Sequence, residues 1–318
     1  MVSDKYSTAP DPSGLLRITA MRDIPRWGIQ TGDLGGLIES EYNLAQDGDA
    51  WISRSAQVSD TAHVYDDACV YDDARILGNA RIYGNARIYG NARIYGNARI
   101  NDDARIFGNA HVSVNARIFG FAQVSNAAHV SGTAQVFGYA QVSHTAYISG
   151  YARISDCARI SGDARIFGGA QVSGYAQVFG GAQVSGDARI SGYARITGDA
   201  RISGDARISE DVWVSGDARI SDRVRIFGNA RIFGARHILV VTPWTTQNHS
   251  LTCYRTTTGH VIVAGCWDGS IDALDDLIRS DEWPSRCGYE TRIRYRPEMQ
   301  AVLSAVRLRI TEWDRDRG

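Results

Sequence analysis

From Ala50 to Ile232 the apolar positions of this chain return in the same order every six residues, without insertion or deletion. The first residue of each phrase is Ala, replaced only by Val212 and Val224, and the third is always Ile or Val. Between them stands Arg or Gln in most phrases, His at His63, His111 and His129, and Trp51, Cys69, Tyr147 or Trp213 in four others. Apolar, polar, apolar is a short strand with two side chains inward and one outward. The next three positions are mostly Ser, Tyr or Phe, then Gly, then Asn, Asp or Tyr, as in the A-R-I-Y-G-N of Ala86 to Asn91. Gly and Asn tolerate positive φ, so Gly-Asn marks a sharp bend. Each phrase predicts one flat side and one corner.

A short fixed period predicts a solenoid. Six residues per side make a triangular coil of three sides, so residues eighteen apart stack about 4.8 Å from one another. The run holds roughly ten such coils. Burying each Ile or Val contributes ~1.5–3 kcal/mol, against ~1–2 kcal/mol per residue of backbone ordering. One coil alone is marginal, and stability has to come from stacking.

The phrase resembles the hexapeptide-repeat proteins with the left-handed parallel β-helix fold, in which an aliphatic residue precedes Gly, two variable residues and a small residue. Ile88-Tyr89-Gly90-Asn91-Ala92-Arg93 keeps the aliphatic and small positions and moves Gly one place later. In that departure it looks like bacterial and phage-borne hexapeptide proteins of unassigned role, some of them labelled acetyltransferases. Gly32 to Ser40, ahead of the repeats, also looks like the opening segment of such proteins. The resemblance covers about residues 15–235. Left-handedness is implied by it alone, since the general crossover preference is right-handed. The fold expected is all-β: a single-chain left-handed parallel β-helix, triangular, of about ten coils, with a small α+β module at its C-terminus.

Residues 1–43 then form an N-terminal cap with Trp27 and a turn cluster at Gly32–Gly36, 44–236 the helix proper, and 237–318 the C-terminal module. A cap is needed because a last rung exposes apolar side chains and unpaired strand edges. In the module, Ser250–Arg255 and His260–Cys266 read as two strands about a Thr-Thr-Thr-Gly turn. Ser270–Ser280 reads as a helix with Ser270 as N-cap and Asp272 in its first turn. Glu298 to about Glu312 reads as a second helix, with Met299, Val302, Val306 and Leu308 largely on one side.

The formal charge of −1 supplies no bulk field for nucleic acid or an anionic membrane. With no apolar run of about eighteen residues and no signal-peptide core, the expected setting is cytoplasmic, without a membrane partner. Five cysteines make no disulfide framework. Lys5 is the only lysine, and every other cation apart from histidine is arginine. Asp187, Asp199, Asp205 and Asp217 stand where they could bridge to Arg189, Arg201, Arg207 and Arg219, although a GC-rich genome produces the same arginine bias with no function behind it.

Candidate chemistry is sparse. His111 and His129 stack in adjacent coils and are weak candidates for a metal, but two imidazoles fall short of the three or four ligands zinc takes, so no metal and no cofactor is expected. The alternative is that neutral rings interrupt an arginine column and relieve its repulsion. The carbonic-anhydrase pattern of the fold, with two histidines five residues apart among three, is missing from the repeats. Acyl transfer from coenzyme A or an acyl carrier, with a general-base His in a site shared between subunits, rests on fold analogy alone. In the C-terminal module Cys253, Cys266, Cys287, His249 and His260 match no zinc-finger spacing, and buried free cysteines explain them more simply.

The outward columns are the stronger surface. Arg81, Arg99 and Arg117 stack on one side and Arg189, Arg207 and Arg225 on another, suited to phosphates or an acidic partner. Tyr71, Tyr89 and Phe107 line one corner and Tyr65 with Tyr83 another; Phe121 with Tyr139 and Tyr175 with Tyr193 repeat the theme. Rings in register mark interfaces or stack on each other along the edge. Ice binding wants Thr or Ser mid-side, where this chain has Arg and Gln. The expected function is non-enzymatic: a rigid β-helical scaffold presenting Arg and aromatic columns to a protein partner or to other copies of itself, as in a trimer. The alternatives are the acyltransferase and a rod that binds phosphate or nucleic acid, the latter disfavoured by the near-zero charge.

Overall fold

The computed structural model describes residues 4–53, 55–242, 250–265, 267–280 and 289–315, with side chains of the last stretch from Arg296 onward. The chain is mostly β: a parallel β-solenoid of about eleven turns, then a small antiparallel sheet and a helical part. It divides into two compact units, Met1–Gly180 and Gly181–Gly318.

Among the described residues, thirty-one two-residue strands recur every six positions from Trp51–Ile52 to Arg231–Ile232. Their partners lie eighteen residues away: Arg99 pairs with Arg81 and with Arg117, and Ile100 with Ile82 and Ile118. Backbone N–H groups donate up the stack, as from Arg93 to Ala110 at 2.9 Å and from Tyr95 to Val112 at 3.0 Å. The polar backbone is thereby satisfied between coils rather than by water. The Ala and Ile or Val positions of the repeats are buried, from Ala50 to Ile232.

The corners follow from the backbone. Gly90 has φ +70°, and a Cβ there would lie 2.9 Å from the Gly108 nitrogen of the next coil. Where this corner position is not Gly it is most often Asp, as at Asp60, Asp66, Asp72, Asp102 and Asp156, all with positive φ. Each of these carboxylates accepts the N–H of the glycine eighteen residues on, at 2.7 to 3.1 Å. A charge-assisted hydrogen bond thus offsets the cost of a side chain in the left-handed region.

In the first unit the N-terminal segment joins the solenoid instead of merely lying over its end. Strands β1 (Tyr6–Pro10), β2 (Leu16–Ala20) and β3 (Leu34–Ile38) pair antiparallel in order. β3 then runs parallel to the first repeats, Leu37 against Gln57 and Ile38 against Val58, and Leu44 bridges Val64. This additional turn accounts for about eleven turns where the period alone predicts roughly ten. Buried Asn43 holds the junction, its Nδ2 donating to the carbonyls of Asp60 and Ala62 at 3.0 and 2.8 Å. The expected turn cluster at Gly32–Gly36 is corrected: Gly32 turns, with φ +95°, but Gly35 and Gly36 lie in β3. Close packing selects glycine there, since a Cβ on Gly35 would sit 2.7 Å from the Trp51 ring. Trp51 and Cys69, expected outward, are buried.

In the second unit the repeats run on into a four-stranded antiparallel sheet, β35 (Ile238–Val241), β36 (Leu251–Arg255), β37 (His260–Ala264) and β38 (Trp267–Gly269), keeping β4–β34 for the repeat strands. The two central strands match expectation, though Cys266 lies outside the described residues. Helix α1 (Ile271–Arg279) is capped by Ser270, whose Oγ accepts from Ala273 N at 3.2 Å. Helix α2 (Tyr289–Arg315) begins before Glu298, with Pro297 inside it; proline usually marks a boundary and hides that longer extent. Met299, Leu303, Val306, Ile310 and Trp313 recur at intervals of four and three and are buried, whereas Leu308 falls off that stripe and is 71% exposed. The last coil grips the sheet: Ala230 bridges Thr256, and the Tyr254 ring meets Phe227 edge-on at 6.3 Å.

Two outcomes check this architecture. Gly90→Ala lowers unfolding free energy by more than about 1 kcal/mol in denaturant melts, and Gly90→Asp, able to reach the Gly108 N–H as Asp72 reaches that of Gly90, loses less. Lys5 is buried with Nζ 3.3 Å from the Asp47 carbonyl; burial, then the charge of Arg22, pushes its pKa down to about 8. Because it is the only lysine, selective 13C-lysine labelling yields one resonance, expected to titrate near 8 rather than 10.5.

Candidate binding faces and corners

An in-register parallel ladder turns each repeat position into a column, so site geometry is set by the sequence read at intervals of eighteen. In the first unit Arg81, Arg99 and Arg117 are consecutive partners on one side, all exposed. In the second unit Arg189, Arg207 and Arg225 form the same arrangement. Both expected columns are therefore present. Among the described residues, none of these six guanidinium groups has a carboxylate within 4.0 Å.

The ion pairs expected between Asp187, Asp199, Asp205 and Asp217 and the arginine two residues after each do not form among the described residues. Asp205 meets Arg223 instead, at 3.6 Å, and Arg231 pairs with Asp211 at 2.9 Å.

The aromatic columns are stacks. Tyr71 and Tyr89 lie 4.8 Å apart at 5°, and Tyr89 and Phe107 5.0 Å apart at 4°. All three rings are half-buried, so much of their surface is spent on one another. Tyr65 with Tyr83 does the same at 4.9 Å. More accessible rings occupy the last position of the phrase: Phe121 and Tyr139 stack at 4.9 Å and are 48% and 60% exposed. Tyr151, Tyr175 and Tyr193 are exposed as well.

His111 and His129 stack at 4.7 Å and 18°, with Tyr147 tilted against His129. Burial first, then His129 and Arg93, lowers the His111 pKa. Among the described residues no group of three His, Cys, Asp or Glu is arranged to hold a metal ion. Cys69 and Cys253 are buried and burial pushes both thiols up to about 12, so neither is a thiolate at neutral pH. The His260 ring accepts from Ile271 N at the start of α1. His249 and Cys287 lie outside the described residues. A cavity of about 340 Å³ in the second unit is lined by Asp187, Asp205, Asp222 and Arg223, with Thr242 and Ser250.

Sequence reasoning missed three features. Asparagine side chains run as a hydrogen-bonded ladder from Asn79 to Asn97 to Asn115, at 3.0 Å each, visible afterwards as Asn at intervals of eighteen. The corner aspartates bind glycine N–H groups eighteen residues ahead. Arg26 reaches Asp67 at 3.0 Å and Asn85 at 2.6 Å, while Trp27 lies under Arg26 and Arg87, 5.4 and 5.1 Å from its ring. No periodic signal announces that contact.

These columns and coils define a β-solenoid repeat protein. The family model described as YdcK Beta solenoid repeat matches residues 80–93, 92–106, 158–174, 182–198 and 200–216, and along those stretches the chain is similar to that repeat. A comparison with curated proteins finds no match. No described helix is long and apolar enough to cross a membrane.

Because folded His111 binds its proton less readily than the unfolded chain, it favours the unfolded state as pH falls. Its contribution is fully present above the ordinary value of 6.5 and is lost as pH drops through the lowered folded value. In denaturant titrations from pH 7.5 to 5, His111→Gln is expected to lose less stability than the wild type.

Proposed function

We propose that the chain is a non-enzymatic structural and binding protein of the cytoplasm, a left-handed hexapeptide β-helix that presents arginine and aromatic columns to a protein partner or to other copies of itself. The supporting observation is the spacing: exposed guanidinium groups and rings recur once per rung on a backbone whose hydrogen bonds hold each coil to the next. Such a surface presents side chains without the ordering cost that flexible loops incur on binding. Interfaces are enriched in Tyr, Phe and Arg, the residue types that these columns carry.

A second reading has its own support. The column of Arg81, Arg99 and Arg117 lacks a described carboxylate, and it suits phosphates or nucleic acid. Its mark would be oligonucleotide affinity that falls steeply with salt and is lost in Arg81→Gln/Arg99→Gln/Arg117→Gln.

Solution mass by light scattering, paired with thermal-shift measurements, tests the scaffold reading. Wild type is expected to assemble, Phe121→Ser/Tyr139→Ser to assemble less, and coenzyme A to leave the melting temperature unchanged. Stabilisation by coenzyme A together with acyl transfer would sink it in favour of the acyltransferase.

A further inference from the structure

None of the thirty-one mid-side positions among the described repeats holds an acid, while seventeen hold arginine. The register sets arginine against arginine: Arg87 with Arg105, Arg93 with Arg75, Arg99 with Arg81 and Arg117, Arg207 with Arg189 and Arg225, and Arg201 with Arg219. Like charges directly opposite destabilise a ladder. Alternating Arg with Glu every eighteen residues would have produced cross-strand pairs with the same coil. Within the repeats the acids instead occupy corners, and over the whole chain the two signs nearly cancel, 34 basic against 35 acidic residues. Stability of the single chain does not explain this segregation.

One corner in the second unit brings the two signs side by side. Asp199 and Asp217 stand eighteen residues apart on it, and Arg201 and Arg219 form the column of the adjoining side. All four are exposed, and among the described residues none of them forms an ion pair. The Asp199 N–H donates to Gly216 at 2.9 Å, which fixes its backbone. Trp213, 40% exposed, flanks the same corner.

We propose that this strip is a self-complementary interface between two copies of the chain, resting on the self-association part of the reading above. About a two-fold axis across the strip, with the copies antiparallel, Asp199 meets the partner's Arg219 and Asp217 meets the partner's Arg201. The reciprocal contacts follow by symmetry, as an isologous interface requires. Spacing argues for a second copy: both columns repeat at one rung, about 4.8 Å, and another copy carries charges at the same interval. Charge argues the same way, because a surface built for a polyanion would give the chain a basic excess, and its formal charge is −1. Trp213 supplies an apolar contact at the rim of the strip.

Sedimentation equilibrium on the full chain tests this, with thermal melts confirming that each variant folds. Wild type should dimerise at 50 mM NaCl and weaken at least tenfold at 500 mM, where surface pairs are screened. Arg201→Asp/Arg219→Asp and Asp199→Arg/Asp217→Arg should each be monomeric alone, and an equimolar mixture should restore a salt-sensitive heterodimer. Variants that still dimerise alone, or a mixture that stays monomeric, overturn the proposal. If assembly survives both charge variants and is lost in Phe121→Ser/Tyr139→Ser, self-association through the aromatic corners stands and this interface falls. A wild type that is monomeric throughout overturns both.

Discussion

The structure depends on one constraint, the in-register parallel hydrogen-bond ladder between coils. An N–H donates to the carbonyl seventeen residues on, from Arg93 to Ala110 and again from Arg99 to Ala116. Once one coil is laid on another, every later residue inherits its neighbours from the count of eighteen. Inserting one residue would move an inward Ile to an outward position for the rest of the side. The uninterrupted period of the sequence is what this ladder requires, and it also makes columns of whatever stands outward.

Columns have costs as well as uses. A corner repeated at each rung must turn through the left-handed region, which glycine does freely and aspartate does with a carboxylate on the next N–H, as Asp72 does with Gly90. A face repeated at each rung stacks like on like: tyrosine on tyrosine contributes, arginine on arginine does not. The ladder also has ends. At the first, β3 and Leu44 add a turn with Asn43 at the junction; at the other, Ala230 and Phe227 of the last coil meet Thr256 and Tyr254.

Most of the solenoid was legible because a period of six leaves little freedom: strand positions, inward Ala and Ile or Val, and the stacking of Arg81, Arg99 and Arg117 all follow from counting. The ends were less legible because non-periodic packing decides them. Gly35 and Gly36 resemble a turn and are strand, since the Trp51 ring presses against Gly35. Pro297 resembles a helix start and lies inside α2. At the candidate faces, counting yields the columns but not the direction of each side chain. Asp199 and Asp217 therefore looked like partners of Arg201 and Arg219 in the same chain, but among the described residues neither pair forms.

Spin labels test the ladder most directly. Nitroxides introduced at Arg99→Cys and Arg117→Cys, with Cys157, Cys266 and Cys287 replaced by Ser, should sit one rung apart, about 4.8 Å between backbones. Their spectrum should be dominated by spin exchange. Labels at Arg99→Cys and Arg105→Cys, twelve residues closer in sequence but on different sides of the coil, should show dipolar broadening without exchange. Exchange in the second pair and not in the first would contradict the eighteen-residue coil, and with it the account of every column built on it.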